Sequence, residues 1–324
     1  MSGQRQARPS GEKLHKVLAR AGFGSRRQLE KWISAGRVSV NGQIARLGDS
    51  VTPNDLVRVD GHPLGTHALR PLRTRVLLYH KPAGEICARH DPEGRRTVFS
   101  ALPGVRNGRW VMVGRLDVGT SGLLLFTNNG ELANRLMHPS GGFEREYAVR
   151  VLGQPDRAAL AALTGGVDLD GQTARFETLR HAGGEGANQW YHVTLREGRY
   201  REVRRLWESQ GLVVSRLTRV RFGDLPLPRS LKAGRWQELE EGEVSALMRA
   251  VDLANEREAG TRARGARPVE RPGRRQAKDS AQDPGRRDKP RAQPSPRAAN
   301  ASQDARGPSG GGARSRRVAR RRTT

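Results

Sequence analysis

Apolar positions near the start of the chain recur at helical spacing. Leu14, Val17, Leu18 and Ala21 form one stripe, with Lys13, Lys16 and Arg20 outside it. Gly22-Phe23-Gly24 breaks that helix. Ser25 starts a second, with Gln28 three residues on as a capping-box partner. Leu29, Trp32 and Ile33 form its core side, while Arg26, Arg27 and Lys31 point elsewhere. After Gly36 the period drops to two. Val38-Ser39-Val40 and Gln43-Ile44-Ala45 flank Asn41-Gly42, a strong two-residue hairpin signal, and a short strand follows at Leu56 to Val59. These elements define a first unit over residues 12–64, and Gly65 to Pro71 reads as a linker.

The second unit, 72–250, has the length and apolar content for its own core. Strand-like runs occur at Val76-Leu77-Leu78-Tyr79, Trp110 to Val113, Gly122 to Phe126, Glu146 to Val151, Trp190 to Leu195 and Val213 to Val220. Helical patterns occur at Gly130 to Met137, Asp156 to Leu163, Arg201 to Gln210 and Glu243 to Val251. Strands dominate without strict strand–helix alternation, which predicts an α+β fold rather than a doubly wound sheet. No internal repeat is evident.

Charge adds a partner to this picture. The 324 residues include 59 basic and 33 acidic side chains, a formal net charge of +26. Such an excess suits a polyanion, with nucleic acid the first candidate and an anionic membrane surface the second. No run approaches the roughly 20 apolar residues that span a bilayer, and the basic, polar N-terminus lacks the apolar stretch of a secretory signal. A cytoplasmic protein is expected. The single cysteine, Cys87, cannot form an intrachain disulfide, and the eight scattered histidines show no ligand spacing, so no metal is expected. Residues 256–324 hold 20 Lys/Arg and 7 Asp/Glu, half the net charge, and almost no large apolar side chains. Such a tail is expected to be disordered, serving either as an electrostatic arm for RNA phosphates or as a solubilising extension.

One segment carries candidate chemistry. In Gly114-Arg115-Leu116-Asp117-Val118-Gly119-Thr120-Ser121-Gly122-Leu123-Leu124-Leu125-Phe126, a strand enters, glycines and small polar residues turn the chain, and an apolar strand leaves. Asp117 would sit on a loop gripped by two buried strands, as a preorganised catalytic group requires. Arg115, two residues away, points to the same side of extended backbone and favours an ionised carboxylate. On residue chemistry alone, a turn-forming Asp in a glycine-rich loop explains the segment at least as well.

The run resembles the Gly/His-Arg-Leu-Asp-x-x-Thr-Ser-Gly signature of pseudouridine synthases. Flanking segments resemble the branch of that family that joins an S4-type RNA-binding module to the catalytic domain. These are Lys81-Pro82-Ala83-Gly84, Glu131 to Ser140, Glu144-Arg145-Glu146-Tyr147-Ala148-Val149, and Glu197-Gly198-Arg199-Tyr200-Arg201-Glu202-Val203-Arg204-Arg205-Leu206-Trp207-Glu208. The resemblance spans residues 12 to about 250. It implies a small S4-type domain, a catalytic domain with a central, mostly antiparallel sheet, and a cofactor-free isomerisation of uridine. Asp117 would be the catalytic carboxylate, Arg115 would hold the flipped-out nucleotide or fill its space, and Tyr147 would stack on the base. Arg204 would pair with Asp117; a surface pair with Glu208, four residues on, is the alternative. In the S4-type module, Arg26, Arg27, Lys31 and Arg37 are the RNA-contacting candidates, and a solvated basic helix face is the bland alternative. Within the branch, the segments around Gly84 and Trp207 are similar to enzymes acting on 23S ribosomal RNA near the peptidyl-transferase centre, and a monomer is expected. The rivals are a 16S or another 23S ribosomal RNA uridine as the target, or a ribosome assembly factor that has kept the fold without the chemistry. Tyr200, where the large-subunit branch often has asparagine, and Gly119, commonly a larger polar residue, depart from the pattern.

Overall fold

The stripe of Leu14, Val17 and Leu18 forms α1 (Leu14–Arg20) in a computed structural model that describes residues 11–65, 72–105 and 108–253. The basic tail and most of the linker lie outside the described residues. Ser25 starts α2 (Arg26–Ser34), its hydroxyl accepting the Gln28 N–H at 3.2 Å. The hairpin forms where Asn41-Gly42 predicts it. β1 (Val38–Val40) and β2 (Gln43–Ile44) are joined through Asn41 at φ 52° and Gly42 at φ 81°, the two positive angles of a tight hairpin turn. β3 (Val57–Val59) and β4 (His62–Pro63) complete a four-stranded sheet in the order β2-β1-β3-β4. Leu14, Leu18, Leu29, Ile33, Val38, Val40 and Val57 close a core of their own beneath it.

The second unit is built on β5 (Val76–Lys81), β6 (Val111–Val113) and β7 (Ser121–Thr127), followed by α3 (Gly130–Met137). Then come β8 (Arg145–Leu152), α4 (Arg157–Gly165), β9 (Thr178–Glu185), β10 (Asn188–Leu195) and α5 (Glu202–Glu208). The last elements are β11 (Val213–Phe222), β12 (Leu225–Pro226), β13 (Trp236–Glu238) and α6 (Glu241–Arg249). The sheet runs β9-β10-β8-β11-β7-β5-β13, with β6 paired to β7 and β12 to β11. All its pairings are antiparallel except β7 with β11. The expected α+β architecture therefore holds, with a mixed sheet.

The apolar run of β7 is explained by burial on both sides. Leu124 and Phe126 pack into one core with Leu77, Tyr79, Val149 and, from α5, Leu206 and Trp207. Leu123 and Leu125 point the other way, into a core with Val76, Leu132 and Leu136 of α3, and Val244 and Met248 of α6. Alternating Cβ directions supply both faces from consecutive residues. Each such side chain contributes roughly 1.5–3 kcal/mol of apolar burial. β7 is thus the most firmly held strand next to the Asp117 loop.

Two strands on the main path of the central sheet are invisible to the hydrophobic pattern, as are the two-residue β4 and β12. Most of β9 (TLRHAGGE) is exposed, and its register shifts between His181 and Gly184, so it has no period-two signal. β13 pairs with β5 through three residues, too few for any periodicity.

At the single parallel pairing, Gly122 lies opposite Arg219. Its φ is +107°, and an added Cβ would stand 2.3 Å from the Arg219 carbonyl oxygen and 2.5 Å from its nitrogen. No side-chain rotation can relieve a clash with backbone. Gly122→Ala should therefore destabilise the protein by at least about 2 kcal/mol, seen as a lower urea midpoint. A midpoint within error of wild type would show that the two strands can separate without cost.

Candidate active site

The loop between β6 and β7 is held through its carbonyls. The Asp117 carbonyl accepts the Thr120 N–H at 3.0 Å, closing a turn, and the Val118 carbonyl accepts the Gly84 N–H at 2.8 Å. Arg204 Nη2 donates to the Gly119 carbonyl at 3.1 Å. Lys81, at the end of β5, is fully buried and donates to the carbonyls of Pro82 (3.0 Å), Val118 (3.3 Å) and Thr120 (2.8 Å). Every carbonyl from Asp117 to Thr120 is thereby engaged. On the other flank, Leu116 is buried and its N–H lies 3.4 Å from Cys87 Sγ. The backbone is fixed while the Asp117 side chain stays half-buried on a cleft wall.

Lys81 holds its position at an electrostatic cost. Burial pushes its ammonium pKa below the usual lysine value, an effect opposed by the negative charge available from Cys87, Glu85 and Asp117. Cys87 is itself raised, mainly by burial, against the Leu116 N–H and the nearby cations Lys81, Arg219 and Arg115. The sequence motifs quoted Lys81 as a neighbour of the signature but did not predict this role. The signal that could have found it is a lysine closing an otherwise apolar strand, Val76 to Tyr79.

The cleft has a volume of about 420 Å³ and brings together Arg115, Asp117 and Tyr147. Arg115 is exposed on its rim; Tyr147, on β8, is 9% exposed. Six arginines line it (115, 145, 196, 199, 201 and 219) against three acids, Asp117, Glu197 and Glu202. Arg219 is buried; its Nε donates to the Leu123 carbonyl at 2.7 Å, and among the described residues its Nη2 has no partner. Arg145 donates to the Phe143 carbonyl at 3.1 Å and to the Arg196 carbonyl at 2.5 Å, so it braces the far wall.

Arg204 does not take either of the places expected of it. It is absent from the cleft lining, and its guanidinium is spent on the carbonyls of Gly119 and Val214 (2.9 Å). Among the described residues it makes no ion pair with Asp117, although the Asp117 charge acts on it at longer range. Glu208 pairs instead with Arg201 at 3.1 Å. From α5 the Arg204 guanidinium sits between the loop carbonyl of Gly119 and the carbonyl of Val214 on β11, and its donors are spent on main-chain oxygen. In the N-terminal module Arg26, Arg27 and Lys31 are exposed as expected. Arg37 is not free: it pairs bidentately with Asp60 (2.8 and 2.6 Å) and lies 4.3 Å over the Trp32 ring. It ties α2 to the hairpin sheet.

A sheet-borne carboxylate loop over a cationic cleft, joined to a helix–hairpin module, defines a class. Residues 75–209 match the RNA pseudouridylate synthase family and residues 12–63 match the S4 domain. The chain belongs to this family and is a pseudouridine synthase. It is 59% identical over 247 residues to the ribosomal large subunit pseudouridine synthase B of Shigella flexneri and to that of Escherichia coli K12. Each match covers 76% of this chain and 85% of the relative. The synthase B of Vibrio cholerae is 57% identical over 248 residues, covering 76% of this chain and 77% of the relative. A crystal structure of a pseudouridylate synthase superposes with a TM-score of 0.50 at 26% identity, covering 73% of this chain and all of that one.

Two outcomes follow from the site's construction. Lys81→Met removes the donor shared by three carbonyls, each loss costing about 1 kcal/mol. It should lower the turnover number about a hundredfold through misplacement of Asp117 while KM changes little; steady-state kinetics showing an unchanged kcat would refute the positioning role. Glu202 is buried, with Oε2 accepting the Arg199 N–H at 3.0 Å and Oε1 without a hydrogen-bond partner among the described residues. Burial and the neighbouring Glu197 carboxylate raise its pKa from 4.5 to about 7. A raised carboxyl pKa means that the fold binds the proton more tightly than the unfolded chain. That stabilisation is complete below pH 4.5 and is lost as the pH rises to about 7. Glu202→Gln should abolish this part of the stability–pH curve in denaturation titrations, and parallel curves for the two proteins would contradict it.

Proposed function

We propose that this enzyme isomerises a single uridine of large-subunit ribosomal RNA, near the peptidyl-transferase centre, with Asp117 as the catalytic carboxylate. The observation that carries the assignment is the asymmetry at Asp117. Its loop carbonyls are all engaged, yet its carboxylate has no ion-pair partner among the described residues and lines a cleft rich in arginine. A turn-forming aspartate spends its side chain on local N–H groups; this one is left for a substrate. The large-subunit assignment is supported by the relatives, ribosomal large subunit pseudouridine synthases 57–59% identical to this chain.

The reaction breaks the bond between ribose C1′ and uracil N1, turns the base, and joins C1′ to C5. N1 gains a proton and C5 loses one, so the sum is an isomerisation with no oxidant or group donor. An ionised carboxylate serves either as the nucleophile that holds the sugar or as the base that takes a ribose proton. The target must leave its stack to reach the cleft. Tyr147 offers a ring to the extruded base, and Arg115 on the rim is placed to hold its nucleotide. Arg204 acts through the loop, fixing the Gly119 carbonyl rather than the carboxylate. Arg26, Arg27 and Lys31 supply charge for RNA on the S4 module.

Asp117→Asn should bind large-subunit RNA within about twofold of wild type and release no tritium from RNA labelled at uracil C5. The absence of one pseudouridine from the large-subunit RNA of cells lacking the protein would locate the target. Undiminished tritium release by the variant would defeat the assignment of Asp117. Loss of a pseudouridine from small-subunit RNA alone would defeat the choice of substrate.

A further inference from the structure

A second concavity, of about 460 Å³, lies away from Asp117, between the S4 module and the catalytic domain. One wall comes from α1 and the first residue of α2, the other from Arg109, Val111 and the start of α3. Its two acids are already engaged. Glu12 is bonded to Arg20, and Glu131 lies 3.9 Å from Lys16 and 3.4 Å from Arg135. Arg26 and Arg109 are not engaged. Among the described residues neither has a hydrogen-bond or ion-pair partner. They come from different domains and face the same space. Arg26 Nη2 lies 3.6 Å from where a Cβ on Gly130 would stand, at the first turn of α3. Arg109 is half-buried, and its pKa is lowered first by burial and then by the positive charges of Arg89 and Arg26. Arg89 is itself committed to the Trp110 carbonyl and the Phe99 ring.

Unpaired cations crowded into a part-buried cleft repel one another, and an anion between them reverses the sign of that interaction. The positive end of α3 adds to the same field. Among the described residues no aromatic ring lines the cleft, and its polar, cationic walls favour a phosphate over a base. The lining is suited to RNA backbone. We propose that this cleft holds one phosphodiester of the RNA substrate, gripped by Arg26 from the S4 module and Arg109 from the catalytic domain. The inference rests on the RNA-modifying function proposed above. A phosphate held there would fix the register of the RNA between the two domains, as backbone contacts do in general.

The test uses the full chain and transcribed large-subunit ribosomal RNA, with dissociation constants measured across a range of KCl concentrations. Arg26→Gln and Arg109→Gln should each weaken binding about tenfold and reduce the slope of log Kd against log salt by about 1. Because both arginines hold one phosphate, the double variant should be no more than about twofold weaker than the weaker single. Arg109→Lys should restore the slope. Arg157→Gln, the same charge change on exposed α4, should leave it unmoved. Without RNA, Arg109→Gln should melt no lower than wild type, since it relieves repulsion. Arg26 is exposed, so Arg26→Gln reads the cleft even where Arg109→Gln proves unstable. Slopes unchanged in both single variants, or fully additive losses in the double, would overturn the shared phosphate. Addition of inorganic phosphate distinguishes the source of the anion. Competition with RNA at millimolar phosphate in wild type but not in the double variant supports the site, and equal competition in both overturns it. Tritium release by wild type on the same RNA is the parallel control. Its absence would remove the parent reading, whereas release with unmoved slopes would remove the cleft alone.

Discussion

A buried ammonium bound by three carbonyls is the interaction on which the active site depends. Lys81 ends the apolar strand β5 with no carboxylate ion pair among the described residues, bonded instead to the carbonyls of Pro82, Val118 and Thr120. Isolating a charge in this way is unfavourable unless its donors are satisfied. The carbonyls are arranged so that they are. The same constraint acts in reverse on the loop, because its oxygens cannot shift without stranding the ammonium. A stiff turn and a carboxylate left unbonded are therefore two sides of one arrangement: backbone oxygens satisfy the lysine's donors, and Asp117, whose charge still acts on the ammonium, makes no bond to it.

The sheet transmits that constraint. β5 and β7 pair along their length, from Val76 opposite Thr127 to Lys81 opposite Gly122. The lysine and the loop are thus placed by the same ladder that joins the two hydrophobic cores. Beyond Gly122 the parallel contact with β11 brings Arg219 to the cleft, and β8, paired with β11, brings Tyr147. α5 then seals the back of the loop through Arg204. The cleft residues come from segments far apart in sequence, and only the register of the central strands gathers them.

Much of this was legible in the sequence. The double-sided apolar run of β7, the periodic helices, the Asn41-Gly42 hairpin and the motif around Asp117 announced themselves through local pattern. What stayed hidden depends on tertiary contact. Arg37 carries the same letter as Arg26, yet it is locked to Asp60 and Trp32 while Arg26 stands free in a cleft. Arg204 bonds main-chain oxygen, and helix register does not encode the choice between a carboxylate and a carbonyl. Arg109 gave no signal at all, since its significance is the proximity of a domain whose placement no local motif records. β9 was missed because an exposed, polar edge strand does not alternate.

That edge has a consequence for how copies of the protein meet. One end of the central sheet is β9, polar and interrupted by a register shift at Gly184; the other is the three-residue β13. Neither presents a long, flat row of unpaired backbone groups against which another strand could align. A highly basic enzyme that gathers along a polyanion brings many sheet edges into close company. Here the chain ends its sheet on surfaces unsuited to templating, so crowding on RNA need not become aggregation.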